Sequence, residues 1–280
     1  MGEIRMTREE CIARYRAEEL RSRTGATVTM LSKLKDAKYR EEYGLYLAEG
    51  VKLTEEALAA GMETEMLFVS EDGLQNPRIT ACLDAAYAGQ IPIRLESAEV
   101  FEKAATEKAP QGIIAVLRRR KTEEDFADPD ARYVLLDTIQ DPGNLGTILR
   151  SAVAFGADGL ILWGCADPTG PKTVRASMGA LFRCPVQVTK DPAETVRRLQ
   201  KDGHRVLAAA LGENSLCAGQ AQLQKNDCII IGNEGHGVSP EIIALCDGVI
   251  RIPMQAVTES LNASVAASVL LWEYYRTFGV

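Results

Sequence analysis

From Arg132 onward the chain repeats one pattern: a short, mostly apolar run, a turn marked by Gly or Pro, then an amphipathic stretch. "YVLLD", "GLILW", "VQV", "RVLAAAL", "CIIIG" and "GVIRIP" read as strands. "NLGTILRSAVAFG", "TVRASMGALF", "AETVRRLQKDG" and "PEIIALC" read as helices, and a long helix runs from Leu261 to Tyr275. Strands that are apolar throughout are buried on both faces. Their alternation with helices predicts an α/β fold with a mostly parallel sheet covered by helices on both sides. Ligands of such sheets bind beyond the carboxyl ends of the strands. The loops leaving those ends are therefore the first place to look for function.

The chain before Arg132 has a different organisation. Residues 1–25 are charged throughout and read as an isolated helix or frayed extension. Residues 26–120 read as a smaller α/β domain. Leu31, Leu34, Tyr39 and Tyr43 fall at roughly helical spacing, and "VKLTEEALAAG" reads as a helix ending at Gly61. "EMLFVS" and "GIIAVLRR" read as strands flanking a helix at "ITACLDAAYAG". Residues 121–131 switch from basic to acidic and read as a linker to the domain at 132–280.

Composition excludes several classes. The 280 residues carry a formal charge of −7, so RNA or DNA binding would need a local basic patch. Seven cysteines are scattered without a C-x-x-C pair, which argues against a zinc site or a disulfide framework and for reduced thiols. The N-terminus lacks a secretory pattern. The apolar run "ASVAASVLLW" is too short for a bilayer. A soluble, cytoplasmic protein without metal or membrane partner is expected.

Three loops follow strands. "GNEGHGVSP" (232–240) combines three glycines with one carboxylate, Glu234. Its glycine spacing is neither a Walker loop nor a dinucleotide fingerprint. "DTIQDPGNLGTILRSA" (137–152) opens a helix with Asp141 and Pro142. Leu145, Ile148, Leu149, Ala152 and Val153 share one face of that helix, which leaves Arg150 on the other. "IPMQAVTESLNASVAA" (252–267) leads into a helix of small residues, with Ser260 as its expected N-cap and Asn262 just inside.

These three segments, with "PKTVRASMGALFRCPV" between them, closely resemble the motifs of the SpoU/TrmH family of RNA ribose 2′-O-methyltransferases, in order and spacing across 130–280. The N-terminal domain resembles, less closely, the substrate-binding domain of many members. The resemblance implies a C-terminal trefoil knot (SPOUT) and a homodimer. It implies S-adenosylmethionine (SAM) as cofactor, contacted through Gly232, Ile252 and Leu261, with Leu211, Gly212, Asn233, Gly235 and Met254 in the same wall. It implies catalytic roles for Arg150, Asn144, Glu234, Ser260 and Asn262. A guanidinium rarely deprotonates in proteins, so Arg150 is expected to stabilise a developing alkoxide or grip a phosphate. His236 is a rival base, and His204 reads as a surface residue.

RNA contact is expected at Lys172 and Arg175 and at the linker cluster Arg118, Arg119 and Arg120. Lys33, Lys35, Lys38 and Arg40 form a further basic set. The expected activity is 2′-O-methylation of structured RNA, rRNA ahead of tRNA. The alternatives are a catalytically silent RNA-binding or assembly factor on the same scaffold, and a phospho-ligand α/β enzyme.

Overall fold

The computed structural model describes residues 6–19, 25–120, 126, 128–212, 215–220, 222–233, 235–255 and 260–279. The chain divides into two compact units, Met1–Arg120 with Thr169–Phe182, and Lys121–Pro168 with Arg183–Val280.

The first unit runs α1 (Arg8–Tyr15), β1 (Glu18–Glu19), α2 (Ala26–Lys33), α3 (Ala37–Tyr43), β2 (Leu45–Glu49), α4 (Val51–Ala59), β3 (Thr64–Ser70), α5 (Pro77–Ala88), β4 (Ile93–Glu96), α6 (Ala98–Ala104) and β5 (Ile113–Arg118). Its sheet has the order β1-β4-β3-β5-β2, with β5 antiparallel to both neighbours. Phe68 of β3 stacks on Phe101 of α6 at 5.4 Å, and Leu31, Leu34, Leu47 and Val116 join them in one core.

Strands β2 and β4 and helix α6 go beyond the sequence expectation. "IRLE" places two charges in four residues, and "LYLAE" follows a helix directly, separated from it only by Gly44. Residues 6–19 are also not an isolated helix. Thr7 and Glu10 form a reciprocal capping box at the start of α1. Met6, Cys11 and Tyr15 are buried, and Tyr15 Oη donates to Asp84 Oδ1 on α5 at 2.9 Å.

The remaining elements are β6 (Tyr133–Asp137), α7 (Pro142–Ala154), β7 (Gly159–Trp163), α8 (Pro171–Ser177), β8 (Val186–Val188), α9 (Pro192–Lys201), β9 (Val206–Ala209), β10 (Leu216–Cys217), β11 (Cys228–Ile231), α10 (Pro240–Ile243), β12 (Gly248–Arg251) and α11 (Ala263–Phe278). Helix α8 belongs to the first unit and packs on β2. The others build a seven-stranded sheet of order β10-β12-β9-β11-β6-β7-β8, parallel at every pairing, as the apolar strands predict. From β6 the chain steps outward through β7 and β8, then crosses to the other side, where β11 returns beside β6. This reversal is a topological switch point, the place where open α/β sheets take ligands. Most of the expected linker lies outside the described residues, but its Phe126 and Ala131 are buried in the core with Leu135, Ile161 and Ile230.

His204 corrects the sequence expectation of a surface residue, since it is 3% exposed. Gly203, at φ +98, ends α9, and His204 N donates to Leu199 O at 2.9 Å. This closure turns the imidazole inward against Tyr133, with Nδ1 2.9 Å from the Asn226 carbonyl oxygen. No helix among the described residues is long and apolar enough to cross a membrane.

Arg205 grips the buried Asp227 with two bonds, Nε to Oδ1 at 2.8 Å and Nη2 to Oδ2 at 2.5 Å, and Gln224 N adds a third donor at 2.8 Å. Removing one partner of a buried pair strands the other. Arg205, however, is partly exposed and keeps its bond to the Gln222 carbonyl, so Asp227→Ala is expected to destabilise the chain by about 1–3 kcal/mol in urea unfolding.

Candidate functional site

A cavity of about 590 Å³ opens at the carboxyl ends of β9, β11 and β12 in the second unit. Four stretches line it: Ala209–Leu211 after β9, the glycine loop after β11, Ile252 and Met254 after β12, and Ser260–Leu261 before α11. Ala263 and Ala266 of α11 form another wall, and their small side chains leave the space open. Of the sequence-derived candidates, Leu211, Gly232, Asn233, Gly235, Ile252, Met254, Ser260 and Leu261 line this one cavity. Gly212 follows the lining residue Leu211 without lining the cavity itself. His236 lines it too, and so do Val238 and Arg251, which carried no sequence signal. Leu211 is 71% exposed.

The glycine loop is built by close approach. A Cβ on Gly232 would lie 2.1 Å from both Gly237 C and Val238 N. Asn233 and Gly237 exchange backbone bonds at 3.1 and 2.8 Å, and Gly235 N donates to Asn233 Oδ1 at 2.8 Å. The backbone thus lies bare along the cavity wall, which answers why so little side-chain bulk follows β11. Glu234 lies outside the described residues.

Helix α7 starts as its sequence requires. Asp141 Oδ1 accepts from Asn144 N at 2.8 Å, with Pro142 in the first turn. Leu145, Ile148, Leu149 and Ala152 are buried, while Arg150 is exposed, six residues or about 9 Å along the axis from Asn144. Arg150 has no hydrogen-bond or ion-pair partner among the described residues.

Asn262 corrects the expected cap. It, and not Ser260, caps α11: its Oδ1 accepts from Ser264 N at 2.9 Å, Ser264 Oγ at 2.6 Å and Val265 N at 3.4 Å. Its Nδ2 donates to Asn144 Oδ1 at 3.1 Å. Ser151 and Ser268 meet at 2.7 Å one to two turns further on. Asn144 and Asn262, 118 residues apart, are therefore direct partners, and Ser260 beside them faces the cavity.

The basic candidates of the first unit are more occupied than their sequence suggests. Arg118 pairs with Glu63 at 2.9 Å and with Glu65, Arg120 Nη2 donates to Phe182 O at 3.0 Å, and Arg175 pairs with Glu107. Arg119 and Lys172 have no ion-pair partner among the described residues. Arg40 is buried and holds the carbonyls of Leu34 and Lys35, both at 2.8 Å, so it supports the turn after α2. No cluster of three or more potential metal ligands occurs among the described residues.

Comparison with known proteins gives the site a context. The model of the SpoU rRNA Methylase family matches residues 131–272, and that of the MRM3-like substrate binding domain matches residues 26–115. The 23S rRNA (guanosine(2553)-2′-O)-methyltransferase RlmP of Bacillus subtilis is 34% identical, covering 91% of this chain and 98% of that protein. A 23S rRNA (guanosine-2′-O-)-methyltransferase, RlmB of Xanthomonas campestris, is also 34% identical, over 74% of this chain and 86% of that one. The crystal structure of an AdoMet-bound rRNA methyltransferase from Sinorhizobium meliloti superposes with a TM-score of 0.82 at 29% identity, covering 93% of this chain and 98% of the other.

Gly232→Ala forces backbone at 237–238 to move, because the clash is with main chain and not with a flexible side chain. A loss of about 1–3 kcal/mol in urea unfolding is expected.

Proposed function

The chain belongs to the SpoU rRNA methylase family, and we propose that it methylates a ribose 2′-hydroxyl of structured RNA with SAM as donor, rRNA ahead of tRNA. The observation that carries this reading is the cavity at the carboxyl ends of β9, β11 and β12, whose wall is bare backbone at Gly232 and which is lined by Ser260 and Leu261, next in the chain to Asn262, the partner of Asn144. Its size, its apolar contacts at Leu211, Ile252 and Leu261, and its unshielded amides fit a nucleoside-bearing cofactor. When bound, SAM supplies an already activated methyl group on sulfur.

The chain's own residues then have two tasks. They must align the acceptor oxygen, which contributes about 7–11 kcal/mol when the geometry is right. They must also ease loss of the hydroxyl proton. Arg150, exposed and without a partner among the described residues, is suited to stabilise the developing alkoxide or to hold the adjoining phosphate. Asn144 and Asn262 orient the start of the helix that carries it. Ser260 and Glu234 complete the set, with RNA held further by Lys172, Arg175 and the cluster Arg118–Arg120.

The relatives named as rRNA methyltransferases favour rRNA. A relative in Synechocystis named as a tRNA/rRNA methyltransferase keeps tRNA as the second reading. A trefoil knot through the C-terminal loops and a cytoplasmic location belong to the same proposal, the latter supported by scattered cysteines and an rRNA substrate.

A homodimer is supported by α11. Val265, Val269 and Trp272 are 47%, 37% and 48% exposed, and Trp272 meets Phe155 of α7 edge to face at 5.7 Å. A second copy of the chain is the occupant that this apolar face suits.

Arg150→Ala should lower single-turnover methyl transfer by about 100-fold or more, with SAM affinity by calorimetry within about 3-fold of wild type. Equal transfer by the variant would sink the assignment. Trp272→Asp should convert a dimer to monomers in sedimentation equilibrium, and a monomeric wild type at micromolar concentration would refute the dimer.

A further inference from the structure

We infer that Asp137 is a positioning residue for the cofactor pocket, acting through the glycine loop it holds. The inference rests on the reading of the cavity as the SAM pocket. Asp137 is the last residue of β6 and is 2% exposed. A carboxyl group this deeply buried needs donors. Its Oδ2 accepts from the backbone N–H of Ser239 at 3.0 Å, across 102 residues of sequence.

The neighbouring residue grips the other end of the same loop. Asn233 Nδ2 donates to the Thr138 carbonyl at 2.9 Å. Thr138 itself stands at φ +57, a left-handed conformation that β-branched residues rarely adopt. Thr138 N is in turn anchored to the Trp163 carbonyl at 2.8 Å. Such a conformation persists where the surroundings over-determine it, and it is concentrated at functional sites.

Residues 137 and 138 therefore clamp the loop at its first and last turns, Asn233 and Ser239. Between those points Gly235, His236, Gly237 and Val238 line the cavity. The same dipeptide leads directly into the segment that starts α7 and carries Asn144 and Arg150. Asp137 does not line the cavity. It sets where one wall stands relative to the helix bearing the catalytic arginine.

The full-length chain is titrated with SAM by calorimetry as wild type, Asp137→Ala, Asp137→Asn and Ser239→Pro. Loss of a hydrogen bond to a buried carboxyl group should weaken SAM binding about 10- to 100-fold in Asp137→Ala. Asparagine keeps an acceptor oxygen, so Asp137→Asn should return to within about 3-fold of wild type. Ser239 has φ −60, which proline accepts, so Ser239→Pro deletes the donor from the opposite side and should match Asp137→Ala. It also carries the test if Asp137→Ala yields no folded protein. RNA affinity by filter binding should be equal in all four, which a general loss of folded chain would not leave intact. Wild-type SAM affinity in either folded lesion, or an asparagine variant as impaired as alanine, overturns the inference alone. A wild-type chain that binds no SAM overturns the reading of the cavity and the inference with it.

Discussion

Strand β11 hydrogen-bonds to β6 on one side and to β9 on the other, with Ile229 opposite both Val134 and Leu207. This central position places the glycine loop at the crevice where the sheet reverses direction. A strand at an edge would have sent the same loop to the periphery. The apolar residues of β11 are all buried, and a one-residue slip would not expose them, because both faces are covered. The ladder bonds on either side and the two-ended clamp on the loop therefore hold the register that burial alone leaves open.

Helices α7 and α11 form the other side of the arrangement, and polar contacts join them across a mainly apolar interface. Asn262 uses its carbonyl oxygen for capping and its amide for Asn144, so a residue with weak helix propensity is fully employed at a helix boundary. The Ser151–Ser268 contact repeats the connection further along. The segment that starts α7 and the turn before α11 are thus held as one rim.

Much of the second unit was legible because its signals are local. Apolar runs such as "CIIIG" announce buried strands, and Asp141-Pro142 announces a helix start. The glycine loop was legible as a candidate site because three glycines and one carboxylate follow a buried strand, while the close backbone approach that requires Gly232 was not. Other features depend on partners far away in sequence. The cap of α11 was misread because Ser260 and Asn262 are both good N-caps, and the sequence does not show that the helix starts only at Ala263, where Asn262 also meets Asn144. His204 was misread because a polar residue after a helix usually faces water; here the Gly203 turn decides its direction. The surroundings of the basic residues were not legible either: Glu63 and Glu65 lie beside Arg118, and Arg40, one of a basic set in the sequence, holds two carbonyls of its own unit. Strand β4 was hidden by its charges, which its neighbours accommodate.

The two-residue strand β1 lies along β4 at the outer border of the first sheet, pairing Glu18 with Arg94 and Glu19 with Leu95. Without it, β4 would present a row of open amides and carbonyls, the template from which chains polymerise edge to edge. A strand this short is too brief to recruit another, yet long enough to cover the border. The charged segment at the start of the chain thus shields the middle of that border, a placement that its sequence, polar and aperiodic, gave no reason to suspect.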